Sequence, residues 1–225
     1  MKIRFLGHSA FMIEGRTIKA LVDPFISGNP NSGIGVDELK GITHIFVTHG
    51  HGDHLGDTIN IAKSNNSKVI CNFEIGQYLS DKGLSVHTMH IGGRTSFEFG
   101  IVKMTPALHG SGIYNGEYFI CGGNPCGFLI KLEGKKVYHA GDTGLTMDMK
   151  LLEDENIDVA LIPIGGNYTM DIYDAAKAVE FIKPKLVVPM HYNTFPVIKA
   201  DPEKFRESVR NTGVRVMSIG ETIEI

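Results

Sequence analysis

With 225 residues, 42% of them apolar and 21% charged, the chain can bury a large core and has the composition of an ordinary globular protein. Its formal net charge of −3, with both signs mixed along the sequence, provides no basic arm or stripe for nucleic acid, and no segment nears the roughly 20 apolar residues that span a bilayer. Three cysteines without C-x-x-C spacing (Cys71, Cys121 and Cys126) argue against a disulfide framework and a zinc ribbon; with no signal-peptide pattern over Met1–His8, a reduced, cytoplasmic protein with small buried cysteines is expected.

Lys2–Leu6, Ala10–Ile13 and Thr17–Val22 read as an opening meander of strands. A strand over Thr43–Val47 follows, then a helix over Asp57–Ser64, a strand over Lys68–Cys71 and a helix over Glu74–Asp81. Ser96–Phe99, Val102–Thr105, Cys126–Leu132 and Lys136–His139 continue as strands. Met147–Glu155 reads as a helix with Met147, Leu151 and Leu152 near one face, and Val159–Pro163 as a strand. Asp171–Ile182 is the clearest helix: Ile172, Ala175, Ala176 and Val179 suit a period of 3.6, and Pro184 stops it. After a strand over Lys185–Pro189, Asp201 caps a helix over Pro202–Asn211, and Val214–Ser218 and Glu221–Glu224 close the chain as strands. The order is strands first, then mixed strand and helix, twice over. It predicts two packed β-sheets with helices outside, in one domain over residues 1–225.

The chemistry concentrates in Thr48-His49-Gly50-His51-Gly52-Asp53-His54, between the apolar strand Ile42–Val47 and Leu55, where a helix is expected to begin. The glycines are expected to let the backbone bend tightly. Four groups able to bind a metal share one turn. A merely solvated turn has little reason to crowd them so. Imidazole nitrogen and carboxylate oxygen suit zinc first, with manganese, iron or nickel as alternatives. Further ligands must come from elsewhere, and His109, Asp142 and His191 each follow an apolar strand and lie in a loop. Strand ends on one sheet edge converge, so these residues can meet the first cluster.

These landmarks, in this order, resemble the metallo-β-lactamase superfamily. Gly7-His8-Ser9 and Met190-His191-Tyr192-Asn193-Thr194-Phe195 resemble its L-ascorbate-6-phosphate-lactonase-like branch of cytosolic metal-dependent hydrolases. The resemblance implies a four-layer αββα sandwich with the site at the edge between the sheets. It implies two divalent metal ions, one held by His49, His51 and His109, the other by Asp53, His54 and His191, with Asp142 bridging them. Asp23, before Pro24, supports the histidine loop in this reading, or is a turn carboxylate. A paired centre activates water against an ester, lactone or phosphoester of a small metabolite, and Asp53 orients the water or moves its proton.

His8, Tyr192, Asn193, Thr194 and the segment Gly165-Gly166-Asn167 are the candidates for facing a substrate, His8 also as a hydrogen-bonding turn residue. His44 is expected to pack within its strand, His139 to pack below the site, and His87 and His90 to lie at the surface or in support of it. Two other activities of the superfamily weigh less. A nucleic-acid-processing phosphodiesterase would carry an added RNA-gripping element, and a di-iron oxidoreductase a flavodoxin-like domain and a glutamate where His51 stands. A small-molecule substrate is expected, and a homo-oligomer is compatible with the sequence.

Overall fold

The computed structural model describes all 225 residues. The first sheet lays β1 (Lys2–Gly7), β2 (Ala10–Glu14), β3 (Lys19–Val22), β4 (His44–Phe46), β5 (Lys68–Asn72) and β6 (Ser85–Met89) side by side in chain order. β7 (Arg94–Phe97) and β8 (Gly100–Pro106) start the second sheet, and β9 (Gly112–Tyr114) and β10 (Phe119–Cys121) form a separate hairpin. The second sheet is completed by β11 (Cys126–Leu132), β12 (Lys135–His139), β13 (Val159–Pro163), β14 (Leu186–Met190) and β15 (Gly213–Val214), in the order β15-β14-β13-β12-β11-β8-β7. β16 (Thr222–Glu224) returns to the first sheet outside β1.

Each sheet is antiparallel in its first half and parallel in its second. Parallel neighbours need crossovers, and the longer helices occur there. α1 (Gly52–Leu55) is a single turn; α2 (Thr58–Asn65) and α3 (Phe73–Asp81) connect β4 to β5 and β5 to β6. α4 (Ile172–Ile182) and α5 (Pro202–Ser208) follow β13 and β14. α4 starts where the Asp171 carboxylate accepts from the Tyr173 and Asp174 amides, both at 2.9 Å, and ends at Lys183 in left-handed backbone before Pro184.

One apolar layer lies between the sheets, where the Phe46 and Phe128 rings meet at 5.3 Å, and extends to Ala175, Ala178, Val179 and Ile182 of α4. A second layer packs Leu21, Ile45 and Val69 against Ile61 of α2 and Ile75 and Leu79 of α3. The four layers are αββα, as the element order predicts.

Departures from the predicted elements have local causes. Met147–Glu155 is a 3-10 helix, so Met149 and Leu152, three apart, share its buried face, while Met147 and Leu151 stay exposed. β6 escapes the apolar pattern because Ser85, His87 and Thr88 dilute it on an edge strand. The strand expected over Ser96–Phe99 is β7, ending at Phe97 where the turn to Gly100 begins. β15 stops at Val214, and the α5 helix stops at Ser208. His44 is only half-buried, packed edge-on to Phe99 at 4.8 Å. Cys71 and Cys126 are buried as expected, but Cys121 is exposed on the hairpin.

Glu155 closes the 3-10 helix with cations around it: Arg94 Nη2 at 2.5 Å and the ammonium groups of Lys103 and Lys136 at 3.1 Å each. Partial burial works to raise its carboxyl, but hydrogen bonds from Lys136 and Lys103 and the Arg94 charge bring it from 4.5 down to about 2. This depressed value in the folded state contributes stability above pH 4.5, and the contribution fades as pH falls toward 2. Glu155→Gln is expected to lower unfolding free energy by about 1–2 kcal/mol at pH 7, after allowance for solvent screening. Denaturant titrations at pH 7 and pH 3 check this: the gap between variant and parent narrows at the lower pH.

Candidate metal centre

Each candidate ligand sits just past the C-terminal end of a strand, and these ends share one edge of the sandwich. β1 and β4 deliver His8 and the run from His49 to His54, and β3 delivers Asp23; β8, β12 and β14 deliver His109, Asp142 and His191. Hydrogen bonds between the sheets close this edge: Cys126 N–H to Thr48 O at 3.0 Å and His191 N–H to His8 O at 2.9 Å. His8, Asp23 and His191 have φ of 56°, 47° and 55°. Left-handed backbone costs a non-glycine residue on the order of 1 kcal/mol, and here it reverses the chain sharply as each strand ends.

A buried carboxylate sets the histidine tautomers. Asp23 is fully buried, and its Oδ1 accepts from the Thr48 amide at 2.9 Å. Its Oδ2 accepts from Thr48 Oγ1–H and from His54 Nδ1–H, both at 2.7 Å. With its proton directed to Asp23, Thr48 Oγ1 accepts from His49 Nδ1–H at 3.0 Å. His49 and His54 therefore both carry hydrogen on Nδ1 and turn Nε2 toward the cluster, the nitrogen a metal ion would take. Asp23 thus has the supporting role raised by the sequence.

The Nε2 atoms gather around Asp142. His54 Nε2 is 3.2 Å from Asp142 Oδ1, and His191 and His109 Nε2 are 2.9 and 3.6 Å from Asp142 Oδ2. The donor atoms of His49, His51 and His109 lie within 4.8 Å of one another, as do those of His8, Asp53, His54 and His191. A third group, His49, His54 and Asp142, joins the two.

Charge in this cluster is strongly biased. Burial works to raise the Asp53 carboxyl, but the nearby His191 imidazole, the hydrogen bond from His8 and the His54 charge hold it well below the carboxylate range. Burial works to lower His54 and His191, but Asp142 overrides it, driving His54 well up with help from Asp23 and His191 up to about 9. Burial pushes His8 down to about 4, so its neutral ring donates from Nε2 to Asp53 at 3.1 Å and accepts at Nδ1 from Thr194 Oγ1–H at 2.9 Å.

His54 Nε2, Asp142 Oδ1 and both His191 nitrogens are buried without an aligned hydrogen-bond partner. Such orphans cost about 1–3 kcal/mol each unless something coordinates them. Orphaned imidazole and carboxylate atoms converging on a region that demands positive charge fit a bound divalent cation. His51, Asp53, His109, Asp142 and His191 line a cleft of ≈ 200 Å³ there, with Tyr168 as the sixth lining residue.

The family model described as "Beta-lactamase superfamily domain" matches residues 19–192. The chain belongs to the beta-lactamase superfamily. Within it, the chain is 59% identical over 221 residues to the UPF0173 metal-dependent hydrolase of Alkaliphilus metalliredigens, covering 98% of each. It is 52% identical over 228 residues to that of Carboxydothermus hydrogenoformans, covering 99% of each. Among solved structures, Igni18, a metallo hydrolase from the archaeon Ignicoccus hospitalis, is 38% identical, with a TM-score of 0.89 over 99% of this chain and 97% of that one. The chain is therefore a metal-dependent hydrolase of the metallo-β-lactamase fold.

Not every residue expected to face a substrate reaches the cleft of this superfamily member. His8 does not line it; its side chain is enclosed behind the cleft wall with Nε2 on Asp53. Asn167 is exposed with φ 52°, and its neighbour Tyr168 lines the cleft instead. Tyr192 and Asn193 are corrections to the sequence expectation. Tyr192 packs half-buried against the core between the sheets, where burial raises its phenol. Asn193, at φ 58°, uses its Oδ1 to accept from the Ala200 amide at 3.0 Å, which closes its own loop. The reversal at His191 accounts for both, because it carries the following residues away from the cleft. His139 is buried below the centre, its Nε2–H donating to Ser9 O at 2.9 Å.

The glycines of the run also differ from expectation. Neither has positive φ. A Cβ on Gly50 would lie 2.6 Å from Ile113 Cγ1 and 3.0 Å from Ser111 O, so the hairpin base, not a turn, requires glycine there. A Cβ on Gly52 would meet nothing, and α1 starts at Gly52 and ends at Leu55, where a helix was expected to begin. Sequence reading gave Thr48 no role and passed over Tyr168, and Thr194, expected to face a substrate, is instead buried with its hydroxyl on His8. Thr48 leaves only a weak signal, a hydroxyl next to a ligand.

Proposed function

We propose that this hydrolase holds two divalent metal ions, zinc first and manganese, iron or nickel as alternatives, and cleaves an ester, lactone or phosphoester of a small metabolite. The observation that carries the reading is Asp142: one buried carboxylate lies within 3.6 Å of His54, His109 and His191, which come from both sides of the cluster. His49, His51 and His109 would form one position, Asp53, His54 and His191 the other, with Asp142 between them. The lactonase-like marks at Gly7-His8-Ser9 and Met190–Phe195 keep a lactone among the candidates.

Bound divalent ions would bring the pKa of water toward neutrality and polarise the scissile oxygen. The chain's own residues provide orientation and proton handling. Asp23 and Thr48 orient His49 and His54 through Nδ1 before any ligand arrives. His8 holds Asp53 Oδ2 by an N–H donor and Thr194 holds His8, which positions the carboxylate at the cleft wall. Asp53 can then orient the attacking water and pass its proton to the leaving group.

Dialysis against a chelator followed by metal re-addition tests the reading, using lactones, carboxylic esters, thioesters and phosphodiesters. Hydrolysis is expected to fall to background without metal and to return with zinc or one of its alternatives. Hydrolysis that survives complete metal removal would contradict it.

A further inference from the structure

Tyr168 is the one cleft-lining residue that is not a candidate ligand, and it is 57% exposed. Leu108, immediately before His109, is 64% exposed. Both lie on loops tied to Thr143, the neighbour of Asp142. Thr143 Oγ1 accepts from the Leu108 amide at 3.0 Å, and Leu108 O accepts from the Gly144 amide at 3.1 Å. Thr143 O accepts from the Met170 amide at 3.1 Å, and Met170 O from the Gly166 amide at 3.0 Å, which sets the turn carrying Tyr168. The same loop presses on a ligand: a Cβ at Gly165 would lie 2.2 Å from His191 O. Two large side chains, Tyr168 on the cleft wall and Leu108 next to the candidate ligand His109, are thus held exposed by backbone fastened to the ligand loops. No lysine or arginine lines the cleft, which instead contains Asp53 and Asp142. The side chains at the cleft therefore offer a fixed apolar surface and no cation of their own, so an anionic group would be held by the bound metal ions alone.

We infer that Leu108 and Tyr168 clamp the non-reacting apolar part of a neutral carboxylic ester or lactone, an inference that rests on the hydrolase reading above. In the reaction, the water oxygen bonds to the acyl carbon and the carbon–oxygen bond to the alcohol breaks. The water proton passes through Asp53 to the departing oxygen. The products are a carboxylic acid and an alcohol, or one hydroxy acid from a lactone.

The test uses zinc-loaded protein and p-nitrophenyl esters from acetate to octanoate, with p-nitrophenyl phosphate and bis(p-nitrophenyl) phosphate alongside. In the parent protein, kcat/KM is expected to rise about two- to four-fold per added methylene, the gain from burying one such group. In the double variant Leu108→Ser, Tyr168→Ser that dependence flattens at unchanged metal content, whereas Tyr168→Phe retains it because the ring makes the contact. An unchanged chain-length dependence in the double variant overturns the clamp, as does a Tyr168→Phe variant that behaves like Tyr168→Ser. Turnover of the phosphate substrates alone overturns the clamp and leaves the hydrolase reading standing. No turnover of any substrate by metal-loaded protein overturns both.

Discussion

Asp142→Ala is expected to remain folded, to hold fewer than two metal ions per chain at saturation and to lose about 10³-fold or more in kcat/KM, on the order of 4 kcal/mol of transition-state stabilisation. The size of the effect follows from the position of the carboxylate. It faces His54 at 3.2 Å, His191 at 2.9 Å and His109 at 3.6 Å, and it is the largest charge drawing His54 and His191 toward their protonated forms. Without it those imidazoles keep their scaffold but lose the negative charge that recruits a cation. The fold should survive, because the side chain ends a strand at the cleft and does not fill either apolar layer. Metal analysis together with circular dichroism separates the two effects. A variant with full metal content and full activity would remove Asp142 from the centre.

Asp23→Ala is expected to act differently, weakening metal affinity about 10- to 100-fold and also destabilising the metal-free protein by about 3 kcal/mol. Asp23 touches no candidate metal position, yet it is fully buried and accepts three hydrogen bonds: two from Thr48 and one from His54. Alanine leaves all three donors without a partner in a site that water does not reach. It also frees His49 and His54 to adopt the tautomer that blocks Nε2. Asp23→Asn preserves the shape and one acceptor atom, but its single oxygen cannot serve all three donors and its NH2 group faces one of them, so an intermediate loss is expected. Denaturant unfolding of metal-free protein and competition with a chromophoric chelator measure the two quantities. Unchanged metal affinity in Asp23→Ala would show that the tautomers are set elsewhere.

The architecture was legible in the sequence because the apolar runs report it. Strands such as Cys126–Leu132 and Val159–Pro163 are continuous and buried, and α4 has both a cap and a stop signal. The site was legible to the extent that its residues announce themselves chemically: histidines and aspartates past strand ends have few other reasons to gather. Direction of side chains was not legible. Tyr192 and Asn193 adjoin a ligand in sequence but not in the cleft, since the left-handed backbone at His191 decides where they go. Tyr168 was passed over because a tyrosine in a glycine-rich loop has no signal until Thr143 ties that loop to the Asp142 loop. β6 and the β9–β10 hairpin stayed hidden for a related reason, as half-exposed strands without a clear apolar alternation.

Two metal positions sharing Asp142 is the central claim, and counting the metal tests it most directly. Protein stripped of metal, reloaded with zinc, freed of excess ions and measured by inductively coupled plasma mass spectrometry should contain two equivalents of zinc per chain. A content that saturates at one equivalent, or at none, would contradict the paired centre.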